Sequence, residues 1–458
     1  MRRNSKKNEA DAEKSEELNA LLRRISAATA LDLEACEFSV RDAVMALGAR
    51  FLERPLNKVG RGRQAVPIRC RRCGQPMASV GVKYKTLCTI LGPARFGRSL
   101  FVCERCRTQR FPADEALGIE HTHFSPGAQR MMAKAASRST FADAAEDLAL
   151  YANLRVTPKT IERSAEAVGR EIEAWMKLQD VAWLREACAL DTPPSEPANV
   201  PHIMYIEYDG TGIPIRRAEL AGRKGKQPDG SALTREVKLG CVFTQTTFDS
   251  EGHPIRDPNS TSYVGAIESS AAFGKRLYAE ALRRGLQTRT KIVLITDGAH
   301  YNKSIAEMHF HNAVHIIDLY HAFQHVHELA KLLVSEKLRE TIDAQWINLL
   351  DEGRIEDLIK NATEHLPRTG PTREEGIAKI NYFRTNAESM RYDSFRAQGF
   401  FVGSGVIEAG CKTVIGARLK ASGMFWSEVG ANAIIALRCC VYSRRFEQFW
   451  EDRANKTH

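Results

Sequence analysis

Four cysteines and three carboxylates are the residues of this chain whose types and spacing can do chemistry. Cys70-x2-Cys73 and Cys103-x2-Cys106 are two CxxC knuckles with 29 residues between them. One tight turn lets two thiolates chelate together, and two such turns close a tetrahedral site, so the spacing predicts a structural Zn2+. The carboxylates are Asp209, Asp297 and Glu408. "YIEYDGTGIPI", residues 205–215, reads as an apolar strand ending at Asp209, and "KIVLITDGAH", residues 291–300, as a β-branched strand ending at Asp297. A carboxylate at a buried strand end is costly to desolvate unless something positive meets it. Two such groups on neighbouring strand ends repel each other unless a divalent cation lies between them. Mg2+ takes oxygen ligands and keeps several waters. Glu408, in "GSGVIEAGCK", is the expected third ligand, on a helix entered through a glycine-bracketed turn. The plainer reading of Glu408 is an acid favoured at a helix N-terminus by the dipole alone. Paired cations in such a site clamp an in-line displacement at phosphorus.

The elements around these residues set the context. A chain of 458 residues has room for about three domains. Lys and Arg number 66 against 56 Asp and Glu, leaving +10, and the pI is about 9.0. That surplus suits a polyanionic partner such as nucleic acid without requiring one. The apolar runs are too short for a bilayer span, and the charged N-terminus has no apolar signal core. Eleven cysteines, an odd count, argue against a disulfide framework. The expectation is a cytoplasmic protein without a membrane partner.

Residues 1–63 read as an amphipathic helical region whose first fifteen residues are frayed. Residues 64–115 form the expected zinc ribbon, with Arg71, Arg72, Arg105, Arg107 and Arg110 crowding its knuckles and suiting it to phosphate. In 116–186 a helix runs from about Phe141 to Tyr151. After a short turn Thr157 reads as an N-cap and Pro158 as the first helical residue. This is helix-turn-helix spacing, and it places Lys159, Thr160 and Arg163 at the start of a recognition helix. A generic helical hairpin gives the same pattern. The four prolines of 187–202 mark a linker.

Residues 203–320 alternate strands and helices, 321–398 read mainly helical, and 399–458 carry Glu408. The order implies an α/β fold with a mixed sheet, and open sheets of this class place their sites at strand C-termini. Lys412, Arg418 and Lys420 suit phosphate, while Phe425 and Trp426 can stack a base or pack a core. Lys224 and Lys238 either contact phosphate or are simply solvated. His321 shares a helix face with Asp318 in "DLYH" and either contacts DNA or supports the site. His321 and His325 have metal spacing, but nothing like HExxH surrounds them. His300 either assists Asp297 or caps the following helix.

Together "YDGTG", "ITDGAH", "DLYHA" and "GSGVIEAGCK" resemble the DDE triad regions of RNase H-like transposases. The layout from the ribbon to the C-terminus is similar to prokaryotic insertion-sequence transposases of the ISKra and ISL groups, with Mutator-like relatives. The resemblance implies an RNase H-like mixed-sheet core with an all-helical insertion, and 110 residues between Asp297 and Glu408 leave room for it. It implies Mg2+ or Mn2+ held by Asp209, Asp297 and Glu408, and metal-dependent cleavage and strand transfer. It further implies double-stranded DNA partners (terminal inverted repeats and target), a homodimer or larger synaptic assembly, and a bacterial, nucleoid-associated setting. Lys159, Thr160, Arg163, His321, Lys412, Arg418, Lys420 and Trp426 are then the expected DNA contacts. Two alternatives remain. One is a non-catalytic DNA-binding regulator with a transposase-derived body. The other is a phosphatase, because "EYDGT" resembles the DxDGT motif of haloacid-dehalogenase-like enzymes. That motif's nucleophilic aspartate falls here at Glu207, a departure from the pattern.

Overall fold

The computed structural model describes residues 32–60, 68–189, 203–225, 227–287, 290–298 and 300–455, with the backbone alone described at 60, 188, 189 and 300–303. The frayed N-terminus, most of the 187–202 linker and the His300 side chain lie outside what is described. Two compact units divide the chain at Ala165/Glu166, and the residues from Glu447 onward belong with the first.

In the first unit a helix, Leu33–Gly60, packs on a long antiparallel hairpin, β1 (Ala78–Thr89) and β2 (Gly92–Val102). β3 (Gln109–Arg110) pairs with the end of β2. Leu56, Leu87, Ala94, Phe96 and Ile119 make a small apolar core there. Each cysteine knuckle is a tight turn. The Gly74 amide donates to the Cys70 carbonyl at 2.9 Å, and the Arg107 amide to the Cys103 carbonyl at 2.8 Å. Both turn residues have positive φ, which glycine adopts freely and arginine does not. Helices Pro126–Ala136 and Phe141–Ala152 follow, N-capped by Ser125 and Thr140, and Asn153 ends the second in the left-handed region. The next helix, Pro158–Ala189, starts where the Thr157–Pro158 signal places it, and the Thr157 hydroxyl accepts from the Thr160 amide at 3.2 Å.

The second unit is built on a six-stranded mixed sheet. Its strands are β4 (Ile203–Pro214), β5 (Thr234–Phe248), β6 (Pro254–Arg256), β7 (Ser262–Ala266), β8 (Lys291–Thr296) and β9 (Val314–Ile317). Their order is β6-β5-β4-β8-β9, with β7 also on β5. β4 is central, antiparallel to β5 and parallel to β8, and β9 continues the parallel side. Helix Ser270–Arg283 packs on β5, and helix Glu428–Tyr442 on β7. Helices Leu319–Leu333, Glu336–Asp351, Ile355–Glu364 and Pro371–Thr385 pack on one another around the fully buried Trp346, Leu350, Leu358 and Phe383. The chain then returns through Gly405–Gly410, a π-helical segment Cys411–Gly416 and a short turn, Ala417–Leu419. Buried Arg438 serves that irregular stretch: its guanidinium bonds the Thr413 carbonyl, and its Nε donates to the Val414 carbonyl at 2.5 Å. Carbonyls released by the wider π turn are thereby satisfied. No helix among the described residues is long and apolar enough to cross a membrane.

Candidate functional site

The four knuckle cysteines converge, their sulfurs all within 4.8 Å of one another. Cys70–Cys106, Cys73–Cys103 and Cys73–Cys106 are 3.4, 3.5 and 3.6 Å apart. A Zn–S distance of about 2.3 Å gives a tetrahedral edge of about 3.8 Å, so four thiolates at this spacing fit Zn2+ with a slight expansion. Hydrogen bonding from the Thr108 hydroxyl and amide lowers the Cys106 thiol pKa, while burial and the neighbouring sulfurs raise that of Cys73, as expected when thiols crowd together without a cation.

The carboxylates are brought to one region by three elements. β4 and β8 run parallel with Glu207 opposite Ile295, and continuing that register by two residues sets Asp209 beside Asp297. Glu408 lies in the first turn of helix Gly405–Gly410, exposed. Asp209 accepts from its neighbour Gly210's amide at 2.6 Å and lies 3.7 Å from the Cys411 thiol. Burial pushes the Asp209 carboxyl above its usual range, and the negative charges of Asp297 and Glu408 push it further. Among the described residues no lysine or arginine forms an ion pair with Asp209 or Glu408. Asp209 and Glu408, hard oxygen donors without such compensation, together with Asp297 fit a divalent cation that retains waters. Their oxygens do not all lie within 4.8 Å of one another; among the described residues only the cysteine group does.

Two further carboxylates fix the helix that carries Glu408. Glu207 and Asp209, two apart on β4, share a face of the strand. Glu207 Oε2 accepts from the Ile407 amide at 2.8 Å, one residue before Glu408. Asp318, just past β9, accepts from the His321 amide and the Ser404 amide, both at 2.6 Å. One carboxylate thus caps helix Leu319–Leu333 and also holds the entry to the Glu408 helix. Both acids are buried, and burial pushes Glu207 up to about 8. Sequence reading placed Glu207 only at a phosphatase nucleophile position. With no exposed surface under the Glu408 helix, it has no access to a substrate. Its signal was available: an acid inside an apolar strand, two residues before another.

The remaining expected contacts divide by exposure. Lys159 and Arg163 are exposed at the start of their helix, Lys159 bonding Glu162 at 2.7 Å, and half-buried Thr160 bonds Thr157. Lys412 is exposed; Lys420 is exposed and donates to the Thr211 hydroxyl at 2.5 Å. Arg418 and Trp426 are corrected. They are 1% and 5% exposed, Arg418 bonds the Met424 sulfur and stacks over Trp426, and the indole donates to the Leu419 carbonyl. They form the underside of a turn and present nothing to DNA; neighbouring Phe425, 63% exposed, is the outward aromatic. Lys238 is buried against Glu236, while Lys224 is exposed. His321 is half-buried, its ring against His325, which in turn packs on Tyr382 with centroids 4.0 Å apart. Burial lowers the His325 pKa, and no third ligand joins the two among the described residues.

No family model matches the chain. It is similar to a "UPF0236 protein in vanSb 3'region" of Streptococcus gallolyticus, 24% identical over 371 residues, covering 78% of this chain and 73% of the relative. Among solved structures, the "Drosophila P element transposase strand transfer complex" aligns over 72% of this chain and 82% of that one, at 7% identity and a TM-score of 0.24. A score at that level carries no assignment of fold.

Proposed function

We propose that the chain is a DNA transposase of the insertion-sequence kind, with an RNase H-like core in 203–320 and 399–458 interrupted by the helical insertion 321–398. The observation that carries this reading is that three separate elements bring Asp209, Asp297 and Glu408 to one region: β4 and β8 by their parallel register, and the Glu408 helix through Cys411, whose thiol lies 3.7 Å from Asp209. The sheet order supports the core: three antiparallel strands, then two parallel ones, with the first strand central.

On this reading Asp209, Asp297 and Glu408 hold Mg2+ or Mn2+. When bound, these ions supply charge neutralisation at phosphorus and an activated oxygen nucleophile. The chain's own residues do the placing. Asp209 and Asp297 are fixed by the parallel register of β4 and β8. Glu408 is fixed through the amides of Ser404 and Ile407. In cleavage, water adds to the phosphorus at the element's end and the P–O3′ bond breaks, leaving a free 3′-OH and a 5′-phosphate. In strand transfer that 3′-OH attacks a target phosphorus and displaces the target's own 3′ oxygen. Exposed Lys412 and Lys420 suit the phosphates flanking this centre. The ribbon of 64–115, with Zn2+ on Cys70, Cys73, Cys103 and Cys106, and the 116–186 helices with Lys159, Thr160 and Arg163 are the proposed readers of terminal inverted repeats. Pairing two ends calls for a homodimer or larger synaptic assembly.

The test is nicking of a labelled duplex carrying the element's ends. Cutting at the repeat boundary should need Mg2+, stop with EDTA, and fall at least about 100-fold in Asp209→Asn, as expected when a group stabilising transition-state charge is lost. Binding of the ends without any cutting would instead identify a DNA-binding regulator.

A further inference from the structure

β8 pairs with β4 only as far as Glu207, but β4 and β5 remain paired to Pro214 and Thr234. Past the carboxylates the two strands therefore continue as a ribbon without β8. At about 3.4 Å per residue, the five residues from Asp209 to Pro214 reach about 17 Å. The ribbon ends in the loop 215–233. This loop is anchored. The Arg216 amide donates to the Trp426 carbonyl at 2.9 Å, the Trp426 amide to the Pro214 carbonyl at 3.2 Å, and Leu220 is buried beneath it.

The charges on the loop are unevenly used. Its acids are engaged: Glu219 accepts from the Glu428 amide at 2.7 Å, and Asp229 from the Ser231 amide at 2.9 Å. Its described cations, Arg216, Arg217, Arg223 and Lys224, are all exposed, and none makes a side-chain hydrogen bond or ion pair with the described residues. Elsewhere on the same ribbon the basic residues are paired, Arg235 with Glu428 and Lys238 with Glu236. Loop cations thus remain available for an anion. The turn that anchors the loop also carries exposed Lys420 and Phe425.

We infer that the 215–233 loop is a clamp for the backbone of duplex DNA, gripping phosphates about 17 Å from the carboxylate centre, a span of about five base-pair steps at 3.4 Å each. This rests on the proposed reading of the protein as a DNA-cutting enzyme and assigns it a second, sequence-independent contact. Arginine forks suit phosphate bidentately, and contacts to phosphate set register without reading bases.

The experiment compares the full chain with its Arg216→Gln/Arg217→Gln/Arg223→Gln/Lys224→Gln variant. Duplex affinity is measured across a salt series, on the element's end and on an unrelated sequence. Each phosphate contact contributes about 0.9 to the slope of log K against log salt. The variant should bind both duplexes more weakly, with a slope flatter by about 3–4 units and an unchanged melting temperature. Equal affinity and slope in the two proteins would overturn the clamp. A loop-dependent slope in a wild-type protein that never nicks DNA would leave the clamp standing and defeat the cleavage reading. No binding by the wild type would defeat both.

Discussion

Glu207 and Asp318 reach the same short helix from two different strands, and their energetics differ. Glu207 satisfies the Ile407 amide through Oε2, but its buried Oε1 has no hydrogen-bond partner. Leaving the amide unsatisfied costs about 1–3 kcal/mol, and removing the buried carboxyl relieves a penalty of similar size. Glu207→Ala should therefore change the melting temperature little while slowing DNA cutting by about 10-fold or more, because the turn before Glu408 loses its anchor. Glu207→Gln keeps an acceptor for Ile407 and should cut within about 3-fold of wild type. Equal rates for the alanine and wild-type proteins would remove Glu207 from any positioning role. Asp318 is less replaceable. Each of its oxygens accepts from a different amide, and an asparagine can serve only one of them. Asp318→Asn should cost about 1–3 kcal/mol of stability in a denaturant titration.

The cysteine knuckles and the long helices respond to substitution in different ways. If the four thiolates hold Zn2+ as proposed, the purified protein should carry one zinc by metal analysis and Cys73→Ser should lose it and unfold the ribbon selectively, since a structural Zn2+ contributes folding energy outright. Full zinc occupancy in that variant would contradict the four-thiolate site. Gly169 lies on helix Pro158–Ala189 where a Cβ would fall on the Ala433 carbonyl of helix Glu428–Tyr442. Gly169→Ala should destabilise by about 1–3 kcal/mol, as overpacking does, although alanine is the better helix former.

Much of this level was legible in the sequence. The CxxC spacing gave the sulfur cluster, and the Thr157–Pro158 pair marked a helix start. The strand before Asp297 ends where its apolar run ends, but β4 continues past Asp209 to Pro214, because its pairing with β5 outlasts the apolar run. Less was legible where meaning depends on tertiary direction. Arg418 and Trp426 carry the residue types of a DNA contact, yet they turn inward and satisfy a loop. Nothing local in "GARLKASGMFW" distinguishes Trp426 from the exposed Phe425. The grip of Asp318 on Ser404 spans 86 residues, and no periodicity reports a bond of that separation.

For the whole molecule, the surplus of +10 has a physical location in part: the exposed cations of the β4–β5 loop and the arginines around the cysteine knuckles. The carboxylate centre depends on the chain returning after the helical segment, since 110 residues lie between Asp297 and Glu408. Asp209 and Asp297 follow from one strand register, whereas Glu408 joins them only through long-range packing. The account is therefore tested most directly at Glu408. The measurement is the single-turnover nicking rate of Glu408→Gln at saturating Mg2+, on a duplex carrying the element's end. A fall of about 100-fold or more, with melting and DNA affinity unchanged, is the predicted result. Nicking at the wild-type rate would contradict it, returning Glu408 to an ordinary acid at a helix N-terminus.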